Sequence, residues 1–290
     1  MKQFNRLYLE ERLEELNQKL KCHISLYVLG GGAMSYFGLK DSTRDIDVGL
    51  KSIDEYEKLL EALHALKYRD VIPKHQSYLD MNTSAVLENP DGLRWDIFVK
   101  IICNGLQLSE GMIERAEKWL SYNNVEIYAV SPEDNFVFKS ITSRERDRDD
   151  MNTLFIHGLD FNNIKSEMVW QTENSNDRAW LAFFYLGLEE LKEKYGVKIP
   201  YFKEFYNLAC NELVDHKILS LVQQRPFTID ELRLIPPSCL PKTTNLISSN
   251  SPTAHRSPHQ PHIVHFTNCS SFNILLGAWD LYQVICNSAI

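Results

Sequence analysis

The chain has 290 residues, 44% of them apolar, enough for a buried core and for two domains. It carries 31 basic and 39 acidic side chains, a formal net charge of −8, which argues against broad non-specific binding to nucleic acid and leaves room only for a local basic patch. No run of about 18 apolar residues offers a membrane span; the start, Met1 to Arg6, leads into Glu-rich sequence rather than a signal peptide; and six cysteines without a CxxC pair read as thiols of a cytoplasmic protein.

In chain order, residues 6–20 predict a helix with Leu13, Leu16 and Leu20 on one face. Ile24 to Leu29 predicts a buried strand, Gly32 to Leu39 a short helix after a glycine turn, and Asp45 to Leu50 a second strand. Residues 53–66 predict an amphipathic helix. Thr83–Leu87 and Leu93–Ile102 flank Asn89-Pro90-Asp91-Gly92, a turn signal, and are expected to pair as a hairpin. Val125–Val130 predicts another strand. Ser131-Pro132-Glu133-Asp134 opens a helix with an N-cap serine, proline at the first position and acids in the first turn, expected to run through Lys139 and Asp150 to about Phe155. Helices are expected over roughly 165–235, including Trp180–Tyr195, Tyr201–Leu221 and Thr228–Leu234 behind a capping box. Trp170, Trp180, Phe183, Phe184 and Tyr185 read as helix-packing core. From Pro236 onward the only charged residues are Lys242, Arg256 and Asp280, while Pro, Ser, Thr, Asn and His accumulate. This composition predicts a poorly structured, dispensable tail and would fit an altered reading frame.

Two features carry chemistry. Tyr27-Val28-Leu29 ends in Gly30-Gly31-Gly32, and glycines let backbone approach a phosphate closely. Thirteen residues after Gly32 comes Asp45-Ile46-Asp47. On a strand the two aspartates share one face, while Ile46 and Val48 point to the other. The same alternation in the second hairpin strand sets Trp95, Ile97, Val99 and Ile101 on an apolar face and Arg94, Asp96, Phe98 and Lys100 opposite. Three strand-borne carboxylates at one sheet edge, Asp45, Asp47 and Asp96, are suited to Mg2+, a hard cation that prefers carboxylate and phosphate oxygens. Glycine triplets are often plain turns and a lone Asp-x-Asp is often surface charge; the combination is far more specific.

Gly31-Gly32…Thr43-Arg44-Asp45-Ile46-Asp47 with Asp96 resembles the DNA polymerase β-type nucleotidyltransferase superfamily. Ser131-Pro132-Glu133-Asp134…Lys139…Arg144 through Asp150 looks like the later motifs of AbiEii-type toxins and related minimal nucleotidyltransferases. The resemblance covers about residues 24–157, with looser support to 235. It implies an α/β (α+β) core with a mixed sheet flanked by helices, then a helical C-terminal domain: a core over 1–160, helices over 161–235 and the tail over 236–290. It implies Mg2+-dependent transfer of a nucleoside monophosphate from an NTP, with two ions held by Asp45, Asp47 and Asp96, and Asp96 also a candidate general base. Gly31, Gly32 and Ser35 would contact the triphosphate. Lys139 would bind a phosphate, with Asp147 or Asp150 positioning substrate or orienting Lys139; the spacing of Lys139, Ser143, Asp147 and Asp150 would set them on one helical face. Arg144 and Arg148 would offer cations to nucleotide or acceptor. Relatives often carry Arg two residues before the Thr; here that place is Asp41 and the basic residue is Arg44. The implied biology is an RNA- or tRNA-modifying toxin or defence component with an antitoxin partner. Modification of a small molecule or a protein hydroxyl, or an inactive binding module on the same fold, are the alternatives. A basic groove from Arg144, Arg146 and Arg148 beside the metal site would favour RNA, and a small closed cavity a metabolite. His255, His259, His262, His265 and Cys269 form a loose zinc-type cluster in the low-charge tail, and His157 reads as a cap or surface residue.

Overall fold

The computed structural model describes residues 2–72, 83–103, 105–142 and 144–224, with 214–224 given by backbone alone. The chain divides into two compact units, Met1–His216 and Lys217–Ile290, and the described elements lie in the first save the end of the last helix. The expected helix over 228–234, the tail and the His/Cys cluster fall outside the described residues. Among the described residues no helix is long and apolar enough to cross a membrane.

β1 (Phe4–Asn5) leads into α1 (Arg6–Lys19), where the Asn5 side chain accepts from the Tyr8 N–H at 3.0 Å. β2 (Ile24–Leu29), α2 (Gly30–Tyr36), β3 (Ser42–Thr43) and β4 (Asp45–Leu50) follow, then α3 (Ile53–Ala65) behind its Ser52 cap. β5 (Arg69–Asp70), β6 (Ala85–Glu88), β7 (Arg94–Val99), β8 (Ile101–Ile102), β9 (Leu106–Gln107), α4 (Glu110–Arg115), β10 (Glu117–Ser121) and β11 (Val125–Ala129) complete the sheet half. α5 (Pro132–Ser140), α6 (Glu145–His157), α7 (Phe161–Asn174), α8 (Trp180–Tyr195) and α9 (Phe202–Gln224) form the helical half.

Seven strands pair in the order β10-β11-β2-β4-β7-β6-β5. β11 with β2 and β4 with β7 are parallel, and the other pairings are antiparallel, so the sheet is mixed, as expected for an α/β core flanked by helices. Strand alternation sends side chains into two cores. Ile46, Val48 and Leu50 of β4 and Trp95 and Ile97 of β7 pack with Leu9, Leu13 and Leu16 of α1 and Leu59 and Leu63 of α3. Tyr27, Leu29 and Phe98 face the other side, against Phe136, Val137, Met151 and Leu154 of α5 and α6. Full burial of leucines such as Leu13 and Leu16 is worth about 1.5–3 kcal/mol each. Asp45, Asp47 and Asp96 alternate with the first set, so they face the helical half.

Three expectations need correction. The second hairpin strand stops at Val99, because Lys100 takes a left-handed conformation (φ 61°) that breaks the alternation, and Ile101 is exposed rather than on the apolar face. The predicted helix from Ser131 to Phe155 is two helices: α5 ends at Ser140 and α6 begins at Glu145. Trp170 and Phe183 are partly exposed, whereas Trp180, Phe184 and Tyr185 are core. The 3.6-residue charge spacing was continuous across the interruption, so periodicity alone did not expose it.

Candidate active site

β4 and β7 run parallel in a register that pairs Asp45 with Arg94 and Asp47 with Asp96. The four side chains occupy one patch on the sheet face that looks toward α5 and α6. Asp96 and Asp45 are buried, and Arg94 is 13% exposed at its side chain. The Arg94 guanidinium donates from Nη2 to Asp45 Oδ2 at 2.8 Å, from Nε to Asp96 Oδ1 at 2.8 Å and from Nη2 to Asp96 Oδ2 at 3.0 Å. Thr43 Oγ1 donates toward the Asp45 carbonyl at 3.2 Å.

The three carboxylates are crowded. Removal of Asp47 from water, reinforced by the charges of Asp45 and Asp96, pushes its carboxyl well above the usual range. Burial and the Asp45 charge raise Asp96 to about 6, against the opposing pull of Arg94. Crowded carboxylates with raised affinity for a proton also favour a metal cation, and oxygen donors of this kind suit Mg2+. A cation already lies among them in the form of Arg94, a stand-in for the charge the patch calls for. Among the described residues no three His, Cys, Asp or Glu side chains are grouped as a ready ion cage; the oxygens of Asp45 and Asp96 are turned to the guanidinium instead.

The glycines serve this patch directly. Gly30 has φ +63°, and a Cβ there would lie 2.1 Å from Asp47 Oδ2, so only glycine lets the Asp47 carboxylate lie against the loop. A Cβ on Gly31 would meet Thr43 Oγ1 at 2.4 Å. Asn135, buried on α5, clamps the same loop: Oδ1 accepts from the Gly30 N–H at 2.9 Å and Nδ2 donates to the Gly30 carbonyl at 3.0 Å. Gly31, Gly32 and Ser35 are buried within α2, and Arg44 is exposed immediately before β4.

Lys139 sits at the end of α5, buried, with Nζ 2.8 Å from both Asp147 Oδ1 and Asp150 Oδ2. These pairs form across the α5–α6 break rather than along one helix. Burial alone would lower the Lys139 pKa, but Asp147 and Asp150 outweigh it and hold the ammonium charged. Burial likewise opposes the Asp147 charge, yet Lys139 and Arg144 keep that carboxyl far below its usual range. Arg144 Nε and Thr142 Oγ1 also bind Asp147 Oδ2, at 2.7 and 2.5 Å. Lys40, whose stem lies 3.9 Å from the Cβ position of Gly31, bonds both oxygens of Asp150 at 2.7 and 2.9 Å. Asp149 instead points away, to Lys194 at 2.8 Å, and His157 is exposed in the last turn of α6.

Arg148 does not offer a cation outward. It is buried, donates to the Lys139 and Thr142 carbonyls at 3.0 and 2.6 Å, closing the C-terminus of α5, and reaches Glu190 of α8 at 2.6 Å. A second polar network supports α5 from the other end. Ser131 caps it, and Asp134 takes a bidentate bond from Arg115 at 3.0 and 2.6 Å. Arg115 also binds Glu167 of α7, which accepts from Gln171 at 2.9 Å.

Sequence reasoning missed Asn135, Lys40, Arg115, Glu167 and Cys103. Cys103 stands at φ 50° beside this cluster; burial and the Asp47 charge push its thiol up to about 12. Arg94 had a signal, since alternation put it on the face of Asp96.

The mixed sheet thus presents three aspartates beside the glycine-rich first turn of α2, backed by a lysine- and arginine-bearing helix pair. The chain belongs to the family described as nucleotidyltransferase of unknown function (DUF6036), whose model matches residues 6–195. Two solved structures are similar to it in part. One is ANT(2")-Ia in complex with adenylyl-2"-tobramycin, at 10% identity and TM-score 0.39, covering 58% of this chain and 97% of that one. The other is JHP933 from Helicobacter pylori, at 14% identity and TM-score 0.32, covering 76% of this chain and 95% of that one. No curated protein matches the chain.

Proposed function

We propose that this chain transfers a nucleoside monophosphate from an NTP to an acceptor hydroxyl, with Mg2+ as cofactor. The observation that carries the reading is the Asp45, Asp47 and Asp96 patch on two parallel strands. The acceptor oxygen attacks the α-phosphorus, its bond to pyrophosphate breaks, and the hydroxyl proton passes to a carboxylate oxygen, with Asp96 the candidate. Two Mg2+ ions held by Asp45, Asp47 and Asp96 would lower the pKa of the attacking hydroxyl and neutralise the leaving pyrophosphate. Gly31, Gly32 and Ser35 are the candidate contacts for the triphosphate, and Arg44 for its outer charge. Lys139, with Asp147 and Asp150 on it, fits a positioning role better than a direct phosphate contact, because two carboxylates already engage its ammonium. Phosphoryl-type transfer needs mainly positioning and charge neutralisation, so few further groups are required.

The charge balance favours a small neutral or cationic acceptor, or a protein hydroxyl, over a polyanion. Arg144 is engaged by Asp147, Arg148 is buried and Arg146 alone of the three is exposed, so these arginines supply no outward basic groove. An RNA or tRNA acceptor, an antitoxin partner and the AbiEii-type toxin or defence role rest on the motif resemblance. An inactive binding module is disfavoured, because Asp96 pairs in register with Asp47 and shares Arg94 with Asp45. The test is incubation with each α-labelled NTP, Mg2+ and, separately, total tRNA, protein or aminoglycosides, with Asp45→Ala/Asp47→Ala as control. Label on the small-molecule or protein acceptor only in the wild-type sample supports the reading. Label on tRNA alone returns the RNA reading, and label that survives the double substitution defeats the mechanism.

A further inference from the structure

Three carboxylates in one patch repel one another, and the protein must hold them together before any divalent ion arrives. On the β4–β7 pair the fourth corner is Arg94, the register partner of Asp45 and the same-face neighbour of Asp96. Its side chain is 13% exposed, and the Asp96 side chain it grips is 1% exposed. The fork engages Asp96 through two bonds and Asp45 through one, at 2.8 to 3.0 Å. A guanidinium is planar, permanently charged and matched to carboxylate geometry, so it is a strong internal counter-ion. The oxygens it binds are oxygens a divalent ion would need. Both cations cannot hold the same lone pairs, and two positive charges a few ångströms apart in a buried patch repel by more than they would in water.

We propose that Arg94 is a built-in competitor for the divalent metal: it bridges Asp45 and Asp96 in the metal-free protein and must release at least one of them when the ion binds. This rests on reading the three aspartates as the metal site. Arg94 is thus a positioning residue that sets how much divalent ion the protein needs. It keeps the patch assembled at low metal, at the cost of metal affinity.

The test uses Mn2+ alone, without nucleotide, on the full chain. Titration calorimetry and the electron paramagnetic resonance of free Mn2+ are compared for wild type, Arg94→Met, Arg94→Lys and Asp47→Asn. Removing the competing charge is expected to tighten Mn2+ binding at least about tenfold in Arg94→Met. Arg94→Lys, which keeps the charge, should stay within about threefold of wild type, and Asp47→Asn should lose the binding. Arg94→Met binding no tighter than wild type, while Asp47→Asn still abolishes it, overturns the competition and leaves the metal site standing. No Mn2+ binding in either wild type or Arg94→Met overturns both. Should Arg94→Met fail to fold, the wild-type protein decides: the Arg94 Nε–H resonance, assigned with Arg94→Lys, is followed through a Mg2+ titration. Movement of that resonance, saturating with the metal, supports displacement; a resonance unmoved at saturation overturns it.

Discussion

Asn135→Ala is the substitution whose consequence follows most directly from the geometry. Asn135 is 1% exposed and makes both of its bonds to one residue, accepting from the Gly30 N–H at 2.9 Å and donating to the Gly30 carbonyl at 3.0 Å. Gly30 sits at φ +63° as the first residue of α2, so its N–H has no helical partner. Truncation leaves the buried Gly30 N–H unmet, at about 1–3 kcal/mol where water cannot reach it, while the Gly30 carbonyl keeps its place as an acceptor within α2. A loss of about 1–3 kcal/mol is expected, which for a unit of this size lowers Tm by about 2–12 °C. Urea unfolding read by tryptophan fluorescence and a thermal melt would both report it. Asn135→Leu, which refills the volume without the hydrogen bonds, should recover less than half of the loss. The same loop carries the wall against which Asp47 lies, so the variant should also raise the KM for NTP. A melt within about 1 °C of wild type would refute the clamp, since an unmet buried N–H cannot cost so little.

Other outcomes follow from the same structure. Gly31→Ala, whose Cβ would lie 2.4 Å from Thr43 Oγ1, should destabilise by about 1–3 kcal/mol, and Thr43→Ala in the same chain should restore part of it in a double-mutant cycle. Lys139→Met removes one buried cation from Asp147 and Asp150, which keep Arg144 and Lys40, and should cost about 1–3 kcal/mol in urea unfolding, while Arg146→Ala, at an exposed position, should change stability by less than about 0.5 kcal/mol. The folded Asp96 carboxyl lies at about 6, above its unfolded value, so its contribution is full below the unfolded pKa and lost as pH rises through about 6. In EDTA, wild type should therefore lose stability relative to Asp96→Asn between about pH 4 and 7. Asp147 has the opposite sign: its depressed carboxyl contributes stability above the unfolded pKa that acid removes, so Asp147→Asn should flatten the acid limb of the unfolding curve.

Much of the architecture was legible because its signals are local. The apolar run of β2 ending in glycines, the alternation of β4 and the Ser131 cap each fix an element from a few neighbouring residues, and all three stand where they were expected. Alternation also placed Asp96 on the face of Asp45 and Asp47, which needs only the period of two and a guess at pairing. What stayed hidden depends on contacts far apart in sequence. β10 is a charged edge strand, Glu-Lys-Trp-Leu-Ser, whose pattern is indistinguishable from loop until β11 pairs with it. Asn135 looks like any polar helix residue until Gly30, far upstream, is set beside it. The break between α5 and α6 lies in a stretch whose charges keep helical spacing, and the Lys139–Asp147 pair forms because the chain turns there. The glycines changed meaning as well: Gly30 and Gly31 are required first by Asp47 and Thr43.

The most direct measurement is to follow the fate of each phosphate of the NTP. With Mg2+ and an acceptor present, label at the α-phosphate should move to the acceptor while label at the γ-phosphate leaves as pyrophosphate, and both should cease in Asp45→Ala/Asp47→Ala. Transfer of the γ-label to the acceptor, or α-label transfer undiminished by the double substitution, would contradict nucleotidyl transfer at this carboxylate patch.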